Sequence, residues 1–206
     1  LVDAADIARA FETTGSTSTN VTTDTDNDLN NKNTSEKGEN SNVKVTVDEN
    51  GNYKVTVKQN ISDKTVEVPD TWGKVDIDLG GNTITGPAGE PAISMKPGTS
   101  TTEKPGTQLT ISGGTIQGGN GSTDKPNGGN GIKAEGGMTD SSVKIEGNTT
   151  VAGGNGANGS GGNGGSGISG SVTPTINGGT VSGGNGGSGA TNADGNGGTA
   201  GSGGSG

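Results

Sequence analysis

Apolar and polar residues alternate with a period of two across VKVTVDENGNYKVTV, residues 43–57. Val43, Val45 and Val47 are followed by a polar turn from Glu49 to Asn52, and the alternation resumes at Tyr53, Val55 and Val57. Two such runs joined through Asn and Gly predict a β-hairpin with one apolar face. A further strand is expected at TVEVP, 65–69, leading through Trp72 into VDIDLGGNTITG, 75–86. Upstream, Ile7 and Phe11 lie four residues apart among alanines, which suits a short amphipathic helix over 3–12 with Asp3 as its cap. That helix is read either as the end of an upstream domain or as a cap on the strands downstream of it. Residues 13–42 are Thr, Ser, Asn and Asp with almost no apolar positions and read as a solvated linker.

Beyond residue 70 the pattern becomes a repeat. VDIDLGGNTITG from Val75, QLTISGGTIQGG from Gln108, SVKIEGNTTVAGG from Ser142 and TPTINGGTVSGG from Thr173 fall into line. Each has aliphatics at alternate positions, a small corner, a Thr, one aliphatic and then glycines, so that Ile84, Ile116, Val151 and Val181 occupy one slot. A second series places Ile93, Ile132, Ile168 and Ala200 in another slot. The spacing lies in the range of solenoid repeats. Short strands with aliphatics on one face and glycine corners suit a chain that coils around a narrow core and stacks by parallel backbone bonds. In that register Val75, Ile77 and Leu79 point inward while Asp76 and Asp78 point outward.

The runs IDLGGNTITG, TISGGTIQGG and GGTVSGGNGG resemble the glycine-rich, right-handed parallel β-helix (pectate-lyase-like) repeats of bacterial cell-surface and adhesin-like proteins. The resemblance covers roughly residues 61–200. It implies an all-β fold, a right-handed parallel β-helix solenoid with an N-terminal hairpin and glycine-rich loops. It also implies a role as enzyme, carbohydrate binder or passive stalk. The expected organisation is a short helix plus polar linker over 1–42, a β-hairpin and strand capping the solenoid over 43–70, and glycine-rich β-helix repeats over 71–206.

Composition adds a constraint. Of 206 residues 45 are glycine, only 22% are hydrophobic and 1% aromatic, so the aliphatic core is too thin to hold such a fold unaided. Hydrogen-bonded ladders and capped ends must supply the rest. The last sixty residues hold one charged residue, Asp194. By composition they are a flexible linker; the alternative is a set of extended, polyproline-II-like runs packed through their backbones, which glycine alone allows. Asn recurring within GGNGG favours order, since its side chain can bond local backbone.

Charge and missing residue types narrow the chemistry. A net charge of −9 with Arg9 as the one arginine argues against nucleic acid. There is no cysteine or histidine and no apolar run long enough for a membrane-spanning helix. No signal peptide opens the chain at Leu1, which is read as part of a longer protein. Without histidine there is no ordinary nucleophilic triad, and Asp76, Asp78, Glu135 and Glu146 lack the pairing that glycoside hydrolysis uses. No catalytic residue is assigned and no enzyme is expected.

Asp24, Asp26 and Asp28 have calcium-loop spacing, but Leu29 stands where glycine is required and Glu36 falls one place late. Calcium between coils stays open, with no residues nominated. The aromatics Phe11, Tyr53 and Trp72 lie outside the glycine-rich loops, which therefore offer no stacking platform for sugars, and Trp72 is read as a plug over the core end. The functional expectation is a non-catalytic extracellular or cell-surface module, a stalk or adhesin presenting Gly/Asn-rich loops to a host or environmental glycan or a surface protein. The alternative is a carbohydrate-binding β-helix directed at acidic polysaccharide with calcium. A glycine-rich binding surface of the kind seen on ice or phage proteins would need flat Thr arrays or a packed glycine tip; Thr83, Thr115, Thr150 and Thr180 recur.

Overall fold

The computed structural model describes residues 3–17, 38–98, 106–138, 140–191 and 197–206. The chain is β-rich, with one short helix and fifteen strands in three sheets among the described residues. The helix α1 spans Ala4–Arg9, and the Asp3 side chain caps it by accepting from the Ala5 N–H. The strands are β1 (Gly38–Glu39), β2 (Val43–Val47), β3 (Tyr53–Val57), β4 (Val66–Pro69), β5 (Lys74–Asp78), β6 (Thr83–Thr85), β7 (Ile93–Lys96) and β8 (Gln108–Ser112). They continue as β9 (Thr115–Gln117), β10 (Ile132–Ala134), β11 (Ser142–Glu146), β12 (Thr150–Ala152), β13 (Ile168–Gly170), β14 (Pro174–Asn177) and β15 (Thr180–Ser182).

From β4 onward the chain visits the three sheets in turn. Four rounds of three strands each, β4–β6, β7–β9, β10–β12 and β13–β15, add one strand per sheet, every one parallel to its predecessor. The slots inferred from sequence are the ladder registers. Ile77 pairs with Ile111, Ile111 with Ile145 and Ile145 with Ile176. Ile84, Ile116, Val151 and Val181 form a second row, and Ile93, Ile132 and Ile168 a third. Ala200 does not continue that third row: it lies outside any strand and is exposed. Row on row of identical slots buries the same face at each interior level, so Val75, Ile77, Leu79, Ile111 and Ile145 are fully buried despite the low apolar content.

The two ends differ. At the first, the β2–β3 hairpin pairs antiparallel and β3 then joins β5 in parallel. Ile7 of helix α1 and Phe11, two residues past its end, cover this end and are both fully buried. Residues 38–42, read from composition as part of a solvated linker, instead form β1 and a buried clamp on the helix. Asn40 Nδ2 donates to the Ala8 carbonyl and Asn42 Nδ2 to the Phe11 carbonyl, both at 2.9 Å. Gln59 Nε2 donates to Asn42 Oδ1 at 2.8 Å, and Asn40 Oδ1 accepts from the Asn42 and Val43 N–H groups. Asn42→Ala strands buried partners and is expected to cost about 1–3 kcal/mol. It should raise amide exchange over residues 4–11 before the sheets are affected, as hydrogen-exchange mass spectrometry would read.

At the other end, among the described residues, β13, β14 and β15 each pair with a strand on one side only, and Ile176 is 43% exposed. The alternation of the ladder turns residue 174 away from β11, and proline there removes an outward N–H, a common protection of an open edge.

The hairpin turn is set by Asp48. Its Oδ1 accepts from the Asn50 and Asn52 N–H groups at 2.9 Å, and Asn52 Nδ2 donates to Oδ2 at 3.2 Å. These bonds, the Asn52 N–H foremost, hold the exposed carboxyl below the ordinary value of 3.8. A depressed folded value means that the turn's contribution is present above 3.8 and fades as the pH falls through the folded value. An NMR titration should show Asp48 protonating below the ordinary carboxylate, with the Asn52 amide resonance moving in step.

Candidate functional site

Two connections between strands, 118–131 between β9 and β10 and 153–167 between β12 and β13, are long, rich in glycine and folded back on themselves, and residues 183–191 and 197–206 after β15 are arranged likewise. Each has an outgoing and a returning limb, so the limbs form two layers. Their N–H groups leave in three directions in rotation. Gly153 donates within its layer, to the Ser182 carbonyl at 3.0 Å, and Gly154 donates across the layers, to the Gly129 carbonyl at 2.7 Å. Asn155 donates outward, to Asn120 Oδ1 at 2.9 Å. The within-layer bonds recur every third residue, with Gly156 reaching Asn185 and Gly159 reaching Ser188. Three residues is the turn of a polyproline-II helix, which leaves every backbone group free to bond a neighbour.

The cross-layer bonds form an unbroken series. Gly119 donates to Glu90, Gly129 to Gly119, Gly154 to Gly129, Gly165 to Gly154, Gly184 to Gly165 and Gly204 to Gly184, all at 2.7–3.0 Å. Away from the tips, where Ala157 and Pro126 stand, this packing leaves no room for side chains at two positions in three. A Cβ on Gly154 would lie 2.1 Å from the Gly119 carbonyl oxygen, and one on Gly165 2.1 Å from that of Gly129. The third position faces out and carries Asn or Ser. The glycine-rich segments are thus an ordered two-layer lattice, the packed arrangement rather than the flexible linker.

On the outer side of the outgoing limbs Asn120, Asn155 and Asn185 form a rung ladder: Asn120 Oδ1 accepts from the Asn155 N–H and Asn155 Oδ1 from the Asn185 N–H, both at 2.9 Å. Asn158 bonds the Ser188 N–H in the same way three residues on. On the returning limbs the corresponding rows are Asn127, Asn163, Ser202 and Asn130, Ser166, Ser205. The described residues of the limbs carry no charge apart from Asp124 and Lys125 at the tip of the first.

The acidic residues singled out from sequence are not brought together. Asp76 and Asp78 point outward in register with Thr110 and Ser112. Glu146 pairs with Lys144 at 2.6 Å, and Glu135 is exposed after β10. Among the described residues no three His, Cys, Asp or Glu side chains are grouped as a metal site. Asp24, Asp26, Asp28, Leu29 and Glu36 lie outside the described residues. The Thr83, Thr115, Thr150 and Thr180 column is stacked in register, one residue wide.

Trp72 is buried, its backbone N–H donating to Thr107 Oγ1 at 2.9 Å. It also lines a cavity of about 700 Å³ beside α1 with Arg9, Lys64, Glu67 and Lys96. Two ion pairs lie there, Arg9 with Asp6 and Lys96 with Glu67 at 2.7 Å. Among the described residues no helix is long and apolar enough to cross a membrane. The chain matches no family model, no curated protein and no solved structure.

What sequence reasoning missed is the role of the third position. The signal was present: Gly-Gly-Asn stands at 118–120, 153–155 and 183–185, immediately after the same strand of three successive rounds.

Proposed function

We propose that the chain is a non-catalytic extracellular surface module, a right-handed parallel β-helix that acts as stalk or adhesin and presents a Gly/Asn-rich plate on successive coils. The observation that carries this reading is the two-layer lattice. A long set of loops is held rigid by its own backbone, with uncharged side chains spent on the outer faces. A flexible linker needs no such order, and rigid display of a polar face suits contact rather than turnover. The carboxylates are dispersed over a solvated sheet face, which supports neither the hydrolase geometry nor the calcium-assisted acidic-glycan alternative.

The test is incubation of the folded chain with polygalacturonate and uncharged polysaccharides, with calcium and with chelator, while reducing ends and unsaturated products are followed. No release above background is expected. Turnover that scales with the amount of chain sinks the non-catalytic reading.

A further inference from the structure

Asparagine followed by glycine readily loses its amide without an enzyme. Glycine has no Cβ to shield its nitrogen, so that nitrogen can close on the preceding Cγ. The described residues hold nine such pairs, and every asparagine among them except Asn130 is exposed. Exposure therefore does not separate them, but hydrogen bonding does.

Six of the pairs make a two-bond clasp on one residue of the following round. Asn120 Oδ1 accepts from the Asn155 N–H at 2.9 Å, and the Gly121 N–H donates to the Asn155 carbonyl at 2.7 Å. Asn155 and Gly156 hold Asn185 in the same way, and Asn158 and Gly159 hold Ser188. On the opposite face Asn127 and Gly128 clasp Asn163, Asn163 and Gly164 clasp Ser202, and Asn130 and Gly131 clasp Ser166. Asn50 is held once, through the Gly51 N–H on the Asp48 carbonyl at 3.0 Å. Asn177–Gly178 and Asn185–Gly186 belong to the last round, and neither is held. Among the described residues the Gly178 and Gly186 N–H groups have no acceptor, and Oδ1 of Asn177 and of Asn185 has no donor.

We infer that Asn177 and Asn185 are sites of spontaneous deamidation and that the clasp preserves the other amides of the lattice. The nitrogen of Gly186 attacks Cγ of Asn185. A new N–Cγ bond forms, the Cγ–Nδ2 bond breaks, the glycine proton passes to solvent base, and Nδ2 leaves as ammonia. Water then opens the cyclic imide at either carbonyl to give aspartate or isoaspartate, with no change of oxidation state. A clasped pair must first release both bonds before its nitrogen can turn over Cγ, which slows closure by about tenfold or more. The product puts a carboxylate on limbs whose described residues are charged only at Asp124 and Lys125. Its isoaspartate form adds a backbone carbon ahead of the bond from Gly187 to the Gly162 carbonyl. This inference stands independently of the display reading.

The experiment incubates the native chain in mildly alkaline buffer made with water enriched in heavy oxygen. A parallel sample is held at the same pH in urea that unfolds it. Peptide mapping by mass spectrometry, with aspartate and isoaspartate separated, gives the rate at each pair, and the heavy oxygen marks conversion that occurred during the incubation. In the native chain Asn177 and Asn185 are expected to convert about tenfold or more faster than Asn120, Asn155 and Asn163, with Asn50 between. In urea the differences should collapse to a few-fold. Native conversion of Asn155 as fast as that of Asn185 overturns the inference, and so does a native order that survives unfolding, since local sequence would then set it. Conversion of Asn177 and Asn185 as slow as that of Asn155 overturns it by showing that the last round is covered in solution.

Discussion

Gly154→Ala should be among the most damaging single-methyl changes in this chain. The new Cβ would sit 2.1 Å from the Gly119 carbonyl oxygen and 2.5 Å from its carbon. Both belong to backbone that cannot rotate away. The limbs must part, and parting breaks the bonds from Gly154 to Gly129 and from Gly165 to Gly154. The alanine also restricts the unfolded chain, which favours folding by about 0.4–1 kcal/mol, too little to offset the overlap. A net loss of about 3 kcal/mol or more is expected. It should be read from the urea midpoint, with exchange protection lost across 118–131 and 153–167. Gly197→Ala is the companion: nothing lies within 4 Å of its Cβ. It should be neutral or slightly stabilising. Equal effects at the two positions would mean that the glycine runs are not packed as described.

The pair also marks where sequence reasoning reaches and where it stops. The rows of Ile77, Ile111, Ile145 and Ile176 are legible because parallel stacking returns the same slot at every repeat, so alternation and spacing together fix register. The lattice was harder to read, because a packed glycine run and a flexible one share a composition and differ only in whether neighbours are close enough to bond. The period of three within Gly-Gly-Asn is the physical trace of packing, and it emerges only once the limbs are set side by side. Asn40 and Asn42 show a second limit. Polar composition over 13–42 predicts solvation, yet these two amides are 1% and 2% exposed, their donors taken by the carbonyls of Ala8 in the helix and Phe11 just after it. A satisfied buried amide and a solvated one look alike in a string of letters. Trp72 and Thr107 repeat the point: a buried hydroxyl receives the Trp72 N–H and donates to the Pro69 carbonyl.

Ile111→Ala and Ile176→Ala remove the same atoms from the same row and should differ severalfold in cost. Ile111 is fully buried between Ile77 and Ile145, so its truncation leaves a cavity with neighbours on both sides and is expected to cost about 2–5 kcal/mol. Ile176 has Ile145 on one side and is 43% exposed on the free edge, so its truncation should cost below about 1 kcal/mol. Urea unfolding of the two variants, with exchange measured in β8 and β14, gives both numbers. The asymmetry follows from stacking by nearest neighbours: an interior slot is supported twice and a terminal slot once. The first end escapes that rule because Val55 of β3 and Val45 of β2 continue the row beyond Ile77, and α1 packs against β1 and β2 in turn. If Ile176→Ala proves as costly as Ile111→Ala, the last round is covered in solution and its edge is not free.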